Sequence, residues 1–170
     1  MKEVDRAYLA GLFDGEGCAS VTHGPYRKET TKGGKLYWGH KVHFVISSQD
    51  KHALKKVRRL FEKGGIYDQD RSKSINSLSQ RTTYDFRITK PTDVIKVIDL
   101  ISPYVIIKED DLENLRDAAK FILRVRGSKE RHKWTEEEGK EFEKFAKNSR
   151  DLKGGGKRGR RRKLRRERMV

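Results

Sequence analysis

Leu9-Ala10-Gly11-Leu12-Phe13-Asp14-Gly15-Glu16-Gly17 is the stretch from which the rest of this chain is best read. Asp5 followed by Ala7, Leu9, Ala10, Leu12 and Phe13 predicts a helix over residues 5–14, with Asp5 as its N-cap and Gly15 and Gly17 ending it. Ala7, Ala10, Gly11 and Asp14 fall at i, i+3, i+4 and i+7, which leaves one helix face almost free of side-chain bulk. Small residues on a face let two helix backbones approach closely, a steric effect best documented in membranes. Glu16 follows just past the helix C-terminus, at the negative end of the backbone dipole.

Downstream, residues 18–48 have strand character around a turn near Lys32-Gly33-Gly34, and Val42, Phe44 and Ile46 alternate with Lys41, His43 and Ser47. Residues 50–63 predict a helix capped by Asp50, striped with Ala53, Leu54, Val57, Leu60 and Phe61, and stopped by Gly64-Gly65. Residues 66–90 predict a hairpin in which Tyr84, Phe86 and Ile88 alternate with Thr83, Asp85 and Arg87, around a polar loop from Ser72 to Ser79. A helix opened by Thr92 or Asp93 ends before Pro103, and a longer one runs from Glu109 to Arg126. The order helix, two strands, helix, two strands, two helices indicates an α+β domain with an antiparallel sheet. One sheet face would pack on the helices. The other would display Ser20, Thr22, Lys41, His43, Gln69, Arg71, Arg81, Thr83, Asp85 and Arg87, a polar and basic surface of the kind a DNA major groove admits.

Three regions are expected: a core over residues 1–127, a helical extension over 128–150, and a basic tail over 151–170. In the extension, Thr135 and Glu138 have capping-box spacing, and Trp134, Phe142 and Phe145 read as packing residues. From Lys153 on, the composition is of low complexity and predicts disorder in the free protein. That stretch holds ten basic residues and one acidic, so +7 of the net +16 belongs to the rest of the chain. A basic body with an arginine-rich tail points to a polyanionic partner, nucleic acid first. The rival, a membrane, is disfavoured: no apolar run approaches the roughly 20 residues a span requires. Met1-Lys2-Glu3-Val4-Asp5-Arg6 has no apolar signal segment, and Cys18 is the single cysteine, so an intracellular location is expected, in a prokaryotic cytoplasm or an organelle. The five histidines have no paired metal-ligand spacing with one cysteine, which argues against zinc.

Leu9 to Gly17 resembles the LAGLIDADG motif of the homing endonucleases, with six of nine letters matching, Phe13 replacing an apolar residue and Glu16 replacing one carboxylate by another. The order of elements that follows is also that family's core order, αββαββα, so the resemblance extends over residues 5 to about 126. It implies a saddle-shaped sheet that binds double-stranded DNA, with helices packed behind. It also implies that two motif helices pack at the molecular centre through Ala7, Ala10, Gly11 and Asp14. One copy of the motif is present, so the resemblance implies a homodimer with an isologous interface.

Two Glu16 carboxylates would then meet near the axis and repel unless a cation joins them. The resemblance implies Mg²⁺ held by Glu16 with Gly15, with Mn²⁺ substituting and Ca²⁺ binding without supporting cleavage. It further implies catalytic roles for Glu16, for Gln49 as a water-positioning residue, and for Lys108, which would stabilise charge on the phosphate. A second basic residue is usual one turn after the glutamine. Ala53 stands there instead, with Lys51 or His52 as substitutes. The activity implied is that of an intron-encoded enzyme making a Mg²⁺-dependent double-strand break in a long pseudo-palindromic site, leaving short 3′ overhangs. Two other readings stay open: a maturase acting on host intron RNA, and a DNA-binding regulator without cleavage. Without the motif, Asp14 and Glu16 would read as ordinary helix-end carboxylates, Gln49 as a helix N-terminal residue and Lys108 as a solvated charge.

Overall fold

In a computed structural model, residues 1–27, 36–69, 82–127 and 134–154 are described, with the side chains of residues 26, 27, 36 and 37 left aside. The turn near Gly33, the loop from Ser72 to Ser79, Arg71, Arg81 and the tail beyond Gly154 lie outside the described residues.

The first helix, α1, spans Glu3–Glu16 and is longer at both ends than its sequence pattern predicts. Asp5 is not its N-cap: its carboxylate reaches back from the first turn to accept the N–H of Lys2 at 3.1 Å. Nor does Gly15 end the helix; Gly17 does, turning to extended backbone at φ −80° and ψ 156°. A Cβ on Gly17 would overlap the Phe13 ring and the Phe13 carbonyl, so only glycine lets the chain leave the helix there.

From that exit the chain runs through β1 (Gly17–Arg27) and β2 (Leu36–Ser48), then α2 (Lys51–Phe61), β3 (Gly65–Gln69) and β4 (Thr83–Ile88). Asp50 caps α2 as expected, accepting the N–H of His52 at 2.7 Å. The left-handed residue that closes α2 is Glu62 at φ 55°, ahead of the two glycines expected to stop it. Helix α3 (Pro91–Ile101) begins one residue before Thr92, with Pro91 in its first turn, and leads through a short 3-10 turn (Ser102–Tyr104) into α4 (Glu109–Arg126). The last helix, α5, spans Glu136–Leu152, and Thr135 and Glu138 exchange both capping-box bonds at 3.2 and 2.8 Å.

The four strands form one antiparallel sheet in the order β1-β2-β4-β3. The register places Ala19 opposite Phe44, Val21 opposite Val42, and Phe44 opposite Ile88, so one face is apolar. That face buries Ala19, Val21, Val42, Phe44, Ile46, Phe86 and Ile88 against Leu9 and Phe13 of α1, Leu54 of α2, Ile98 of α3 and Leu115 of α4. Phe13 stacks on Phe44 with ring centroids 4.6 Å apart. Full burial of a ring of this size contributes about 2–3 kcal/mol. The motif helix is thereby pinned to the sheet by the residue next to Asp14.

β1 is an edge strand, and α5 covers it: the Val21 N–H donates to Ser149 Oγ at 3.2 Å. Phe142 is fully buried, and Trp134 lies flat on His40 at 3.6 Å, so the expected packing roles of both hold. Burial, with His23 and Arg126 nearby, pushes His40 down to about 4, which keeps the stacked ring neutral at physiological pH. Among the described residues, no helix is long and apolar enough to cross a membrane.

Candidate functional site

Three of the sequence-predicted residues gather where α1 meets the sheet. Glu16 is the last residue of α1 and is exposed. Gly17 pairs with Ile46 across the β1–β2 ladder, so Glu16 and Gln49 lie at the same end of it, Gln49 exposed between β2 and α2. Lys108 reaches that end from the segment before α4. Its ammonium donates to the carbonyl oxygens of Gly17 at 2.6 Å, Phe13 at 3.1 Å and Gly15 at 3.4 Å. An ammonium has three N–H donors, and here all three meet backbone carbonyls where α1 ends and β1 begins. Lys108 is therefore not a solvated charge. It caps α1 and sets a positive charge beside the backbone of Glu16.

Asp14 explains how Lys108 comes to be there. Its carboxylate accepts the backbone N–H groups of Ile106, Lys108 and Ile107 at 2.8, 3.0 and 3.1 Å. A side chain of the first helix thus clips a segment more than 90 residues away. Replacing Asp14 by Ala is expected to lower stability by about 2–4 kcal/mol, because three charge-assisted bonds are lost while water partly satisfies the released donors. Urea denaturation measures this. A stability change within about 0.5 kcal/mol, the range of a neutral surface substitution, would refute the clip.

The expected bulk-free face of Ala7, Ala10, Gly11 and Asp14 is divided by the packing. Ala10 is fully buried in the chain's own core, and Asp14 is half-buried in the clip. Both side chains are engaged within the chain itself. The exposed arc instead carries Val4, Ala7, Tyr8, Gly11 and Gly15, with space around both glycines. Val4 is 77% exposed and Tyr8 56%. Beside them the clipped segment presents Ile106 at 70% and Ile107 at 65% exposure. The sequence reading missed these four apolar residues. Outward spacing from Gly11 would have found Val4 and Tyr8; nothing local to Ile106 and Ile107 marks them.

The other sheet face is polar. Register places Ser20 opposite His43, Thr22 opposite Lys41, and Gln69 opposite Thr83. Thr22 and Lys41 are exposed, while Ser20, His43, Gln69, Thr83 and Arg87 are half-buried. Burial together with the charges of Lys41, Arg87 and Lys153 lowers the His43 pKa, so the face is basic. Asp85 departs from expectation. It is 8% exposed, and its two oxygens accept from Ser47 Oγ at 2.7 Å and Arg87 Nη2 at 2.8 Å, so it is spent within the protein. Lys51 departs too. Its ammonium bonds Asp68 at 3.0 Å and lies 4.8 Å from the Tyr84 ring centre, on the helix side of the sheet rather than beside Gln49.

The donor set fits a shared metal better than a private one. Glu16 and the Gly15 carbonyl offer oxygens, which Mg²⁺ prefers, and Mg²⁺ keeps several waters. Among the described residues, no three His, Cys, Asp or Glu side chains converge. This chain supplies one exposed carboxylate there, that of Glu16.

The sequence model of LAGLIDADG endonucleases matches residues 9–118. No curated protein sequence matches the chain. The fold is similar to that of the homing endonuclease I-CvuI, solved in complex with the I-CreI target, at a TM-score of 0.66 and 14% identity over 92% of this chain and 86% of that one. It is similar to the archaeal intron-encoded homing endonuclease I-Vdi141I, solved with DNA, at 0.63 and 15% over 94% and 88%. I-LtrWI, solved on its target DNA, gives 0.60 and 19% over 86% of this chain but 44% of that one.

Proposed function

The chain belongs to the LAGLIDADG endonuclease family, and from that premise we propose that it is a homodimeric, Mg²⁺-dependent, site-specific homing endonuclease. It breaks both strands of a long pseudo-palindromic DNA site by hydrolysis and leaves short 3′ overhangs. The observation that carries this reading is the position of Glu16. Its exposed carboxylate stands at the end of the same helix arc, Ala7, Gly11 and Gly15, through which two copies could approach closely. Pairing there brings two such carboxylates together, one for each strand.

This chain spans 86% of I-CvuI and 44% of I-LtrWI, so the fold occurs in chains of about one and about two such units. Association of two copies of this chain would bring two such units together. Mg²⁺ and Ca²⁺ both accompany I-CvuI on DNA. For this chain we propose Mg²⁺ as the working ion, Mn²⁺ as a substitute and Ca²⁺ as an ion that supports binding alone.

Glu16 and the Gly15 carbonyl would hold the ion, which when bound supplies an activated water and neutralises phosphate charge. Gln49, at the same end of the ladder, orients the attacking water. Lys108 acts through position. Fixed at the end of α1, it offsets the negative helix end and adds positive potential beside the scissile phosphate. The polar sheet face reads the duplex through Ser20, Thr22, Lys41, His43, Gln69, Thr83 and Arg87, and Arg71 and Arg81, between β3 and β4 in sequence, are proposed to contribute. Helix α5 ends near this face, since Lys153 is close enough to lower the His43 pKa. The basic tail that follows is proposed to add non-specific attraction to the phosphate backbone.

The test is selection of cleaved molecules from a random double-stranded library with Mg²⁺. The expected result is one long, near-palindromic consensus cut in both strands, bound but not cut in Ca²⁺. Selective binding without cutting in Mg²⁺ would overturn the nuclease reading and leave a DNA-binding regulator.

A further inference from the structure

In the centre of the polar sheet face, one arginine is built into place. Arg87 projects between Val45 and Gly65 in the cross-strand register, and the next row is Ser47, Asp85 and Tyr67. Asp85 is nearly buried. Ser47 Oγ donates to one of its oxygens at 2.7 Å, and Arg87 Nη2 donates to the other at 2.8 Å. The hydroxyl fixes the carboxylate, and the carboxylate fixes the guanidinium. On the second side the Arg87 guanidinium carbon lies 5.4 Å from the centre of the Tyr67 ring. The Tyr67 ring lies close over the Gly65 backbone, where an added Cβ would come within 2.9 Å of Tyr67 Oη. The Arg87 side chain keeps 34% of its surface exposed.

A guanidinium has five N–H donors in a rigid fork, and Asp85 takes one of them. Among the described residues, Asp85 is the partner that holds it. The side chain belongs to the polar sheet face, the one proposed to meet DNA, and about a third of its surface stays exposed there. Guanine presents two acceptors, N7 and O6, on its major-groove edge, which matches a fork held in one orientation. A phosphate would be served as well by a mobile lysine and would need no buried carboxylate, which repels it. We propose that Arg87 is a specificity-determining residue that reads one guanine in each half-site, and that Asp85 is its positioning residue, set by Ser47. This rests on the endonuclease reading above. It also reassigns Asp85: it acts on DNA recognition through Arg87 rather than by contact.

The experiment measures binding of the full-length protein in Ca²⁺ to its selected site and to every single-base variant of that site. For the wild type, replacing one guanine per half-site should weaken binding by about 10- to 100-fold. Arg87→Ala should flatten the preference at that position and leave the profile elsewhere unchanged. Asp85→Asn should flatten it in part, although Arg87 is still present, and Arg87→Lys should not restore it. Melting temperatures identify any variant that fails to fold, and Arg87→Gln serves if Arg87→Ala does. A uniform loss of affinity with an unchanged profile would overturn the proposal and make Arg87 a phosphate contact. Flattening at a position that prefers another base would overturn it as well. A wild type with no sequence preference would sink the endonuclease reading itself, an outcome distinct from these.

Discussion

Replacing Glu16 by Gln should lower double-strand cleavage by about 10³-fold or more, the order seen when a group that stabilises the reacting charge is removed. Binding to the selected site in Ca²⁺ should stay within a few-fold. The expectation that separates a catalytic Glu16 from a structural one concerns stability. Among the described residues Glu16 has no hydrogen bond or ion pair assigned to it, and its side chain is exposed. It also carries negative charge at the negative end of α1, a placement that costs about 0.3–1 kcal/mol in an ordinary helix and that the Lys108 ammonium, bonded to the Gly15 and Gly17 carbonyls, offsets in part here. The amide is nearly the same shape and removes that cost. The melting temperature of Glu16→Gln should therefore equal that of the wild type or exceed it slightly. A residue unfavourable to the fold and indispensable to the reaction is the pattern expected of a functional site. Cleavage within a few-fold of wild type would refute the role, and a marked loss of stability would show that Glu16 holds the fold instead.

What the sequence makes legible here is local. Val42, Phe44 and Ile46 alternate, and the structure buries all three. Asp50 and the pair Thr135 and Glu138 cap their helices because capping joins residues two or three apart. The candidate site is less legible because its bonds are not local. Asp14 meets its partners 92 to 94 residues later, and no spacing rule within a helix points there. Asp85 alternates correctly for the polar face, yet whether a carboxylate in that row meets solvent or its neighbours depends on Ser47 across the strand and Arg87 two residues on. Lys51 sits one residue from the Asp50 cap and two from Gln49, but helix rotation carries it to Asp68. Ala10 and Ala7 are both small and differ by less than a turn. A stripe without bulk fits against a sheet as readily as against another helix, and only the packing of Leu9 and Phe13 turns Ala10 inward and Ala7 outward.

That rotation makes Gly11 the sharpest test of the dimer. Substituting Gly11 by Leu should weaken self-association by about 10²-fold or more, since overpacking costs about 1–3 kcal/mol at each of two symmetry-related positions. Within one chain the substitution is harmless: a Cβ on Gly11 meets no atom within 4 Å. It should even favour the helix by up to about 1 kcal/mol, because Gly is a poor helix former and Leu a good one. The chain's own stability and its ability to associate are thus predicted to move in opposite directions, which no general damage to the fold would produce. The proposed interface also has exposed apolar residues: Val4, Tyr8, Ile106 and Ile107 are each more than half exposed. The clip from Asp14 fixes two of them beside α1, so in the proposed dimer one carboxylate would shape the interface and deliver Lys108 to the site. Sedimentation velocity over a range of concentrations measures association, and a plasmid carrying the selected site measures cleavage. Gly11→Leu should be monomeric where the wild type is dimeric. It should make neither the double-strand break nor efficient nicks, because each Glu16 acts only when joined by its copy. A variant that dimerises like the wild type would exclude this arc as the interface, and a monomeric wild type that cleaves would overturn the shared site altogether.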